Sequence, residues 1–215
     1  SGGWSPVVNL WSHCGGKLLW DSKNAMFYPD KLNAPVDQNG KVYLATAGAA
    51  SGKIQNSECT SDAVEVGRDC LKSLKLKQKK RKVTQFAKAT YEYPIMPVWR
   101  VPLSASEDLL SKSFIDFQND VKVTDIRLAS QEGYQSVEHL KRYTTLGMAT
   151  DQGKLSNVNG LAILADYLGE KIENVGVTTF RPPYVPMSLG DIAGEARGKL
   201  FKPIKKTPID WWHAE

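Results

Sequence analysis

Residues 138–164 read EHLKRYTTLGMATDQGKLSNVNGLAIL, and their punctuation divides the stretch into helix, loop and helix. Ser136 stands where an N-cap is wanted, and Val137, Leu140 and Tyr143/Thr144 then share one face of a helix running to Gly147. Asn157 is placed to cap a second helix, in which Val158, Leu161, Leu164/Ala165 and Leu168 form an apolar stripe before Gly169. Between the two lies TDQGKLSN, residues 150–157, too polar and too broken by glycine for either helix or strand. Upstream, Thr124 can N-cap a further helix that stops at Gly133, and residues 112–117 precede it as a short extended segment. Three short helices over residues 124–168 make a small helical module. Downstream, residues 178–186 (TTFRPPYVP) are held extended by their prolines.

The first third of the chain is organised differently. Residues 41–46 (KVYLAT) have strand character after the turn signal Gln38-Asn39-Gly40. AGAASG follows at residues 47–52, then a polar-capped amphipathic stretch from Asn56 to about Leu74. Strand, small-residue turn and helix are half of a βαβ unit. In such a unit the turn admits a bound group and the helix N-terminus favours an anion. Gly48, Ala49, Ala50 and Ser51 are therefore candidate nucleotide contacts; the alternative is a turn that only packs. Residues 94–102 (PIMPVWRVP) are extended and separate this part from the helical module.

A length of 215 residues allows one full domain or two small ones, and 41% hydrophobic with 24% charged residues is ordinary for a globular protein. The longest apolar run is five residues, 161–165, which excludes a transmembrane helix, and no signal peptide opens the chain. Cys14, Cys59 and Cys70 share no CxxC spacing, so neither a disulfide framework nor a cysteine zinc site is supported, and a reducing cytoplasm is the expected compartment. The net charge of +5 is concentrated: residues 71–82 hold seven cations and no acid, leaving −2 for the rest. That run lacks the interleaved aromatics of a nucleic-acid surface and reads as a solvated linker. A terminus ending IDWWHAE, rich in aromatics that normally find cover, suggests a piece of a larger polypeptide.

Residues 114–169 resemble the helical domain of the bacterioferritin-associated ferredoxin type, which holds a [2Fe–2S] cluster on four cysteines. The family pattern V-C-x-C-E-E-V-T and, later, T-x-x-G-M-G-x-C-Q-G-x-x-C aligns with IDFQNDV at 115–121 and with TTLGMATDQGKLS at 144–156. Asp116, Gln118, Asp151 and Ser156 stand where the cysteines would be. Hard oxygen ligands do not replace four thiolates, so no iron–sulfur cluster is expected.

The cysteine-free version of this module is similar to that in alpha subunits of heterotetrameric sarcosine oxidases. The resemblance covers nearly the whole chain: SGGWSPVV at 1–8, GGKLLWD at 15–21, AGAASG at 47–52, SFIDFQNDV at 113–121, the long block at 138–164 and TTFRPPYVP at 178–186. It implies an α+β chain in four parts. Residues 1–74 are the C-terminal portion of a dinucleotide-binding α/β domain, and 75–111 a basic, proline-containing linker. Residues 112–170 are the helical ferredoxin-like module without cluster ligands, and 171–215 an extended connector toward a folate-binding aminomethyltransferase domain. It also implies beta, gamma and delta partner subunits, NAD on the nucleotide domain, and a flavin mononucleotide at the alpha–beta boundary. Tetrahydrofolate would take the one-carbon unit of sarcosine. The chain alone is expected to be catalytically silent and to hold no cofactor; no nucleic acid or membrane partner is expected.

Within this frame Thr150, Asp151, Gln152, Gly153, Lys154 and Ser156 are candidate flavin contacts. Gly153 lets the backbone approach, Lys154 brings a positive charge, and Asn157 starts a helix whose free N–H groups suit a phosphate. A turn inherited from the ferredoxin scaffold for its shape is the alternative. Arg181, in a stiff proline-rich segment, can present its guanidinium at a fixed place to the flavin or a neighbouring subunit, or simply accompany the packing of Pro183 and Tyr184. His13, His139 and His213 are scattered and accompany no nucleophile motif. Two other function classes remain open on sequence: a related amine or amino-acid dehydrogenase subunit, and a non-enzymatic adaptor or nucleic-acid binder using the 72–82 run.

Overall fold

A computed structural model describes residues 4–77, 86–87, 95–196, 198 and 204–214, and it contains both helix and strand. The chain begins with α1 (Asn9–His13) and a hairpin of β1 (Leu18–Asp21) and β2 (Met26–Pro29), with Trp20 opposite Phe27. Asp21 closes the hairpin: its Oδ1 accepts the Lys23 and Asn24 N–H groups and its Oδ2 accepts from Asn24 Nδ2 at 2.6 Å. Trp20 and Phe27 pack ring to ring at 4.9 Å, which gives the hairpin an aromatic face.

Residues 41–46 do not form the expected strand. Asp37 winds the preceding residues into a turn, its Oδ1 accepting from the N–H groups of Asn39 and Lys41 at 2.9 Å each. Pairing then ends at a single bridge, Val36 to Val42. A strand exists only with a ladder partner, and β-branched or aromatic content does not supply one. A single 3-10 turn at Gly48–Ser51 leads to α2 (Asn56–Ser73), the helix expected there, although none of its residues is buried. Of the basic run, Lys72 lies on α2, Lys75 and Lys77 follow it, and residues 79–82 lie outside the described residues.

The stretch expected as linker ends in α3 (Glu107–Ser111), after which β3 (Phe114–Asp116) pairs antiparallel with β4 (Val121–Lys122). The helical module follows as α4 (Val123–Gln131), α5 (Val137–Thr144), α6 (Asn157–Leu168) and α7 (Ile172–Val175). Three caps differ from expectation. Lys122, not Thr124, is the N-cap of α4, because the Asp125 carboxylate reaches back to the Lys122 N–H at 2.7 Å. α5 stops at Thr144, before Gly147, because Thr145 takes a left-handed conformation at φ 64°. Asn157 is the first residue of α6 rather than its cap, and Ser156 precedes it.

α6 is the central rod: Gly160, Leu161, Ala162, Ile163, Leu164 and Ala165 are all buried, so it is wrapped on more than the single stripe expected. Its Leu161, Ile163 and Leu164 join Ile126 and Ala129 of α4, Val137 and Leu140 of α5, and Ile115, Val121 and Leu146 in one core. Each such aliphatic side chain contributes roughly 1.5–3 kcal/mol of burial. Gly160 is a packing glycine, since a Cβ there would meet Leu146 Cδ2 at 2.4 Å. Phe27 of the hairpin belongs to the same core, with Leu18, Trp20 and Trp99 packed against it. Arg100 fastens the 95–102 segment to α6, pairing with Asp166 at 2.6 Å and lying over the Tyr167 ring at 5.4 Å.

The chain divides into two compact units, residues 1–181 and 182–215. The second is not uniformly extended: α8 (Leu189–Ala193) is closed by a reciprocal Ser188–Asp191 capping box, and α9 (Asp210–His213) follows. Trp211 and Trp212 on α9 are exposed. Among the described residues no helix is long and apolar enough to cross a membrane.

Candidate functional site

The loop after β3 and the long loop between α5 and α6 are stapled together by Asp116 and Gln118, two of the four residues aligned with cluster cysteines. Asp116, 3% exposed, carries the joint. Its Oδ1 accepts the Gln118 and Asn119 N–H groups at 2.9 and 3.2 Å, and its Oδ2 accepts the Gly147 N–H at 2.8 Å across the module. Asn119 adds a second strut, Nδ2 donating to the Thr145 carbonyl at 2.9 Å. Gln118 Oε1 accepts from the Thr150 hydroxyl and the Asp151 N–H at 3.2 Å each. Asp151 then folds onto its own loop, accepting from Gly153 N–H at 3.1 Å and Leu155 N–H at 3.5 Å. Ser156 is buried at 1% exposure, and its hydroxyl has no partner among the described residues. A metal cluster would tie these loops through its thiolates; here side-chain oxygens on backbone N–H groups do so. Among the described residues no group of three or more His, Cys, Asp or Glu side chains converges as a metal site.

Behind the staple, Asn157 is wedged between two glycines. A Cβ on either Gly147 or Gly153 would stand 2.1 Å from its Oδ1, and both glycines have positive φ. Nδ2 donates to the Thr178 hydroxyl at 3.0 Å and toward the Gln152 carbonyl at 3.5 Å. Oδ1 has no conventional donor, so its close neighbours are the glycine Cα–H groups. Asn157 therefore joins the loop, the start of α6 and the 178–181 segment at one point. Only the glycines leave room for it.

Around this polar centre Phe117, Met148 and Leu155 are all more than half exposed, with exposed Lys154, Gln118 and Thr150 beside them. The loop's Gly153 and Leu155 N–H groups, the natural cradle for a phosphate, are already taken by the Asp151 carboxylate. A phosphate there would have to displace an anion. These two amides therefore offer no open cradle for a phosphate.

The Gly48–Ser51 turn is filled in the same way. Gly48 N–H donates to Asp62 Oδ2 of α2 at 2.8 Å, Lys31 pairs with Asp62 at 3.3 Å, and Ser51 Oγ donates to the Thr46 carbonyl at 2.8 Å. Burial opposes ionisation of Asp62 most strongly, but the Gly48 N–H, the Ser51 hydroxyl and Lys31 together hold its carboxyl below the ordinary aspartate range. A depressed folded pKa gives stability that is complete above the reference value of 3.8 and lost as pH falls through the folded value. Asp62→Asn is thus expected to lower stability at neutral pH, with the gap to the parent chain closing below about pH 4. A gap independent of pH in an acid unfolding series would contradict this assignment.

Beside that turn the structure opens a groove that the sequence reading missed. It holds about 560 Å³ and is lined by Trp11, Tyr43, Leu44, Thr46, Val66 and Cys70, among others. Residues 41–46 thus supply a wall rather than a strand, and α2 supplies the facing side. The apolar spacing of Val66 and Cys70 on α2 with Leu74 at its C-cap was the available signal. Arg181 stands at the end of the segment that Glu138 fastens to α5 through the Thr179 N–H at 2.7 Å, and it is not among the residues lining the groove.

The fold is similar to that of a solved dehydrogenase. The crystal structure of L-proline dehydrogenase from P. horikoshii superposes with a TM-score of 0.63 at 21% identity, covering 87% of this chain and 37% of that one. The module itself is more narrowly placed: residues 110–195 match the family model of the sarcosine oxidase A3 domain. The sarcosine oxidase subunit alpha of Rhizobium meliloti (strain 1021) is 38% identical over 212 residues, 99% of this chain and 20% of that one. Those of Corynebacterium sp. strains U-96 and P-1 are 37% and 34% identical, each again over 99% of this chain and 21% of their own length. The chain is similar along 99% of its length to sarcosine oxidase alpha subunits and spans about one fifth of the length of these relatives.

Proposed function

We propose that this chain is the bridging and cofactor-lining part of a sarcosine oxidase alpha subunit, lying between its nucleotide-binding and folate-binding domains. The observation that carries the reading is similarity at 34–38% identity along 99% of the chain, across hairpin, turn, module and connector alike. The parent complex, with beta, gamma and delta subunits, would convert sarcosine, O2 and tetrahydrofolate to glycine, H2O2 and 5,10-methylenetetrahydrofolate. Flavin mononucleotide at the alpha–beta boundary, when bound, supplies electron transfer toward oxygen. The residues here orient and enclose. The Asp116–Gly147 and Gln118–Asp151 bonds fix the two loops that offer Phe117 on one and Met148, Lys154 and Leu155 on the other to the flavin and the beta subunit. The groove at Trp11, Tyr43, Leu44 and Thr46 is of nucleoside size and is the part of this chain best suited to NAD. No catalytic residue is assigned to this chain, and alone it is inactive.

An absorption spectrum with iron analysis of the purified chain tests the reading first. A colourless, iron-free protein is expected; a reddish-brown protein with two irons per chain would overturn the substitution argument from Asp116, Gln118, Asp151 and Ser156. In the assembled complex, Lys154→Ala is expected to lower retained flavin severalfold against the parent, and unchanged flavin content would remove Lys154 from the site. The likeness to L-proline dehydrogenase favours a second reading, a related amino-acid dehydrogenase. Turnover of proline but not sarcosine by the complex would decide for it.

A further inference from the structure

Residues 36–42 make a tight loop on the rim of the groove, with Asp37, Lys41 and Val42 among its lining. Backbone N–H groups hold it closed. Asp37 donates to the Lys41 carbonyl at 2.8 Å and Gly40 to the Asp37 carbonyl at 3.0 Å, while Asp37 Oδ1 accepts from Asn39 and Lys41 at 2.9 Å each. Beyond this turn the pairing is the single Val36–Val42 bridge, so the loop opens by breaking a few exposed bonds. At its tip stands the pair Asn39-Gly40, both exposed. Gly40 has φ 76°, and a Cβ there would meet nothing within 4 Å, so nothing crowds its nitrogen. The side-chain amides of Asn24, Asn33, Asn119, Asn157 and Asn174 donate to a carboxylate, a carbonyl or a hydroxyl. Among the described residues the Asn39 amide makes no such bond.

We propose that Asn39 is a site of spontaneous backbone modification, and that the modification opens the rim of the groove. The Gly40 nitrogen, on losing its proton, bonds to Cγ of Asn39; the Cγ–Nδ2 bond breaks and ammonia leaves, giving a cyclic succinimide. Water then adds to one of the two ring carbonyls and the ring opens, with no change of oxidation state. One opening leaves aspartate at position 39. The other leaves isoaspartate, whose main chain runs through Cβ and Cγ and is one atom longer. Either product sets a new carboxylate close in sequence to that of Asp37, and like charges repel. The longer chain also carries the Gly40 and Lys41 N–H groups away from their acceptors on Asp37. Residues 41–46, which follow, are a wall of the groove. The same dipeptide recurs as Asn159-Gly160 in α6, where the fold withholds the reaction: Gly160 is buried and its N–H donates to the Ser156 carbonyl at 2.9 Å. A core helix fixes the dihedrals of both residues, whereas the exposed turn does not. The inference stands independently of the ligand proposed for the groove.

The full chain, held in mildly alkaline water enriched in heavy oxygen and then digested, reads the site by mass spectrometry. The peptide bearing Asn39 should lose ammonia and take up one labelled oxygen, with isoaspartate among its fragments. It should do so at least about tenfold faster than the peptide bearing Asn159, whose conversion waits on opening of a core helix. In urea strong enough to unfold the chain, the two sites should react at rates within about threefold of each other, because both are followed by glycine. An unmodified Asn39, equal rates in the folded chain, or a gap that persists in urea would each overturn the proposal. The isoaspartate fraction, separated from the parent by its added negative charge, tests the consequence. Amide hydrogens of residues 37–43 should exchange at least about fivefold faster than in the parent, and those of α6 at unchanged rates. Unaltered exchange over 37–43 would show that the rim stays closed and overturn the second half of the proposal.

Discussion

Asp116→Ala is expected to lower the unfolding free energy by about 3–5 kcal/mol, among the largest effects of any single substitution in the chain. The carboxylate is buried and serves three backbone N–H groups, at 2.8, 2.9 and 3.2 Å, on two separate loops. Each charge-assisted bond is worth roughly 1.5–3 kcal/mol, and the contributions overlap because one side chain makes all three. What matters most is the donor left behind. The Gly147 N–H lies in a buried contact, and without Asp116 it would lose its acceptor at a cost of about 1–3 kcal/mol. Asp116→Asn does not repair this, because one of its two terminal atoms becomes a donor facing another N–H. Urea unfolding at neutral pH should show a lowered midpoint for both variants with little change in slope. A loss below about 1 kcal/mol for Asp116→Ala would mean that the two loops are held by packing and not by this carboxylate.

Gly153→Ala should cost about 3 kcal/mol or more, for two separable reasons. An alanine at φ 71° carries a backbone penalty of about 1–2 kcal/mol, and its Cβ would overlap the Asn157 side-chain amide. Asn157 is 6% exposed and tied to Thr178, so it has little room to yield. A double-mutant cycle separates the terms. Asn157→Ala alone should be destabilising through the lost Thr178 contact, yet Gly153→Ala placed on that background should cost only the backbone part. Strict additivity of the two substitutions would show that the amide and the glycine do not meet as described.

The helices of the module were legible because their signals are local. The apolar positions of α5 and α6 repeat within a few residues, and Gly169 closes α6 where a left-handed residue is needed. The staple was not legible. Asp116 and Gly147 lie 31 residues apart, and nothing in the neighbourhood of either announces the other. Resemblance to a cysteine-bearing family located Asp116, Gln118, Asp151 and Ser156, yet it spoke only of what they cannot hold, not of the N–H groups that donate to the first three. At both predicted anion turns an aspartate of the chain accepts backbone N–H groups, for a related reason. A row of free N–H groups is as attractive to an aspartate of the same chain as to a phosphate, and Asp62 sits 14 residues from Gly48. Residues 41–46 show the opposite error, a local propensity for strand with no partner strand to realise it beyond one bridge.

The core that joins Phe27 and Trp20 of the hairpin to Ile126, Leu161 and Leu164 has a bearing on how this chain can be transplanted. A graft of residues 95–181 into another protein would carry Trp99 and the helices but arrive with the Phe27 socket empty and an apolar wound facing solvent. The unit of exchange is set by the shared core, so a recombinant boundary drawn through the basic run divides a single folding unit.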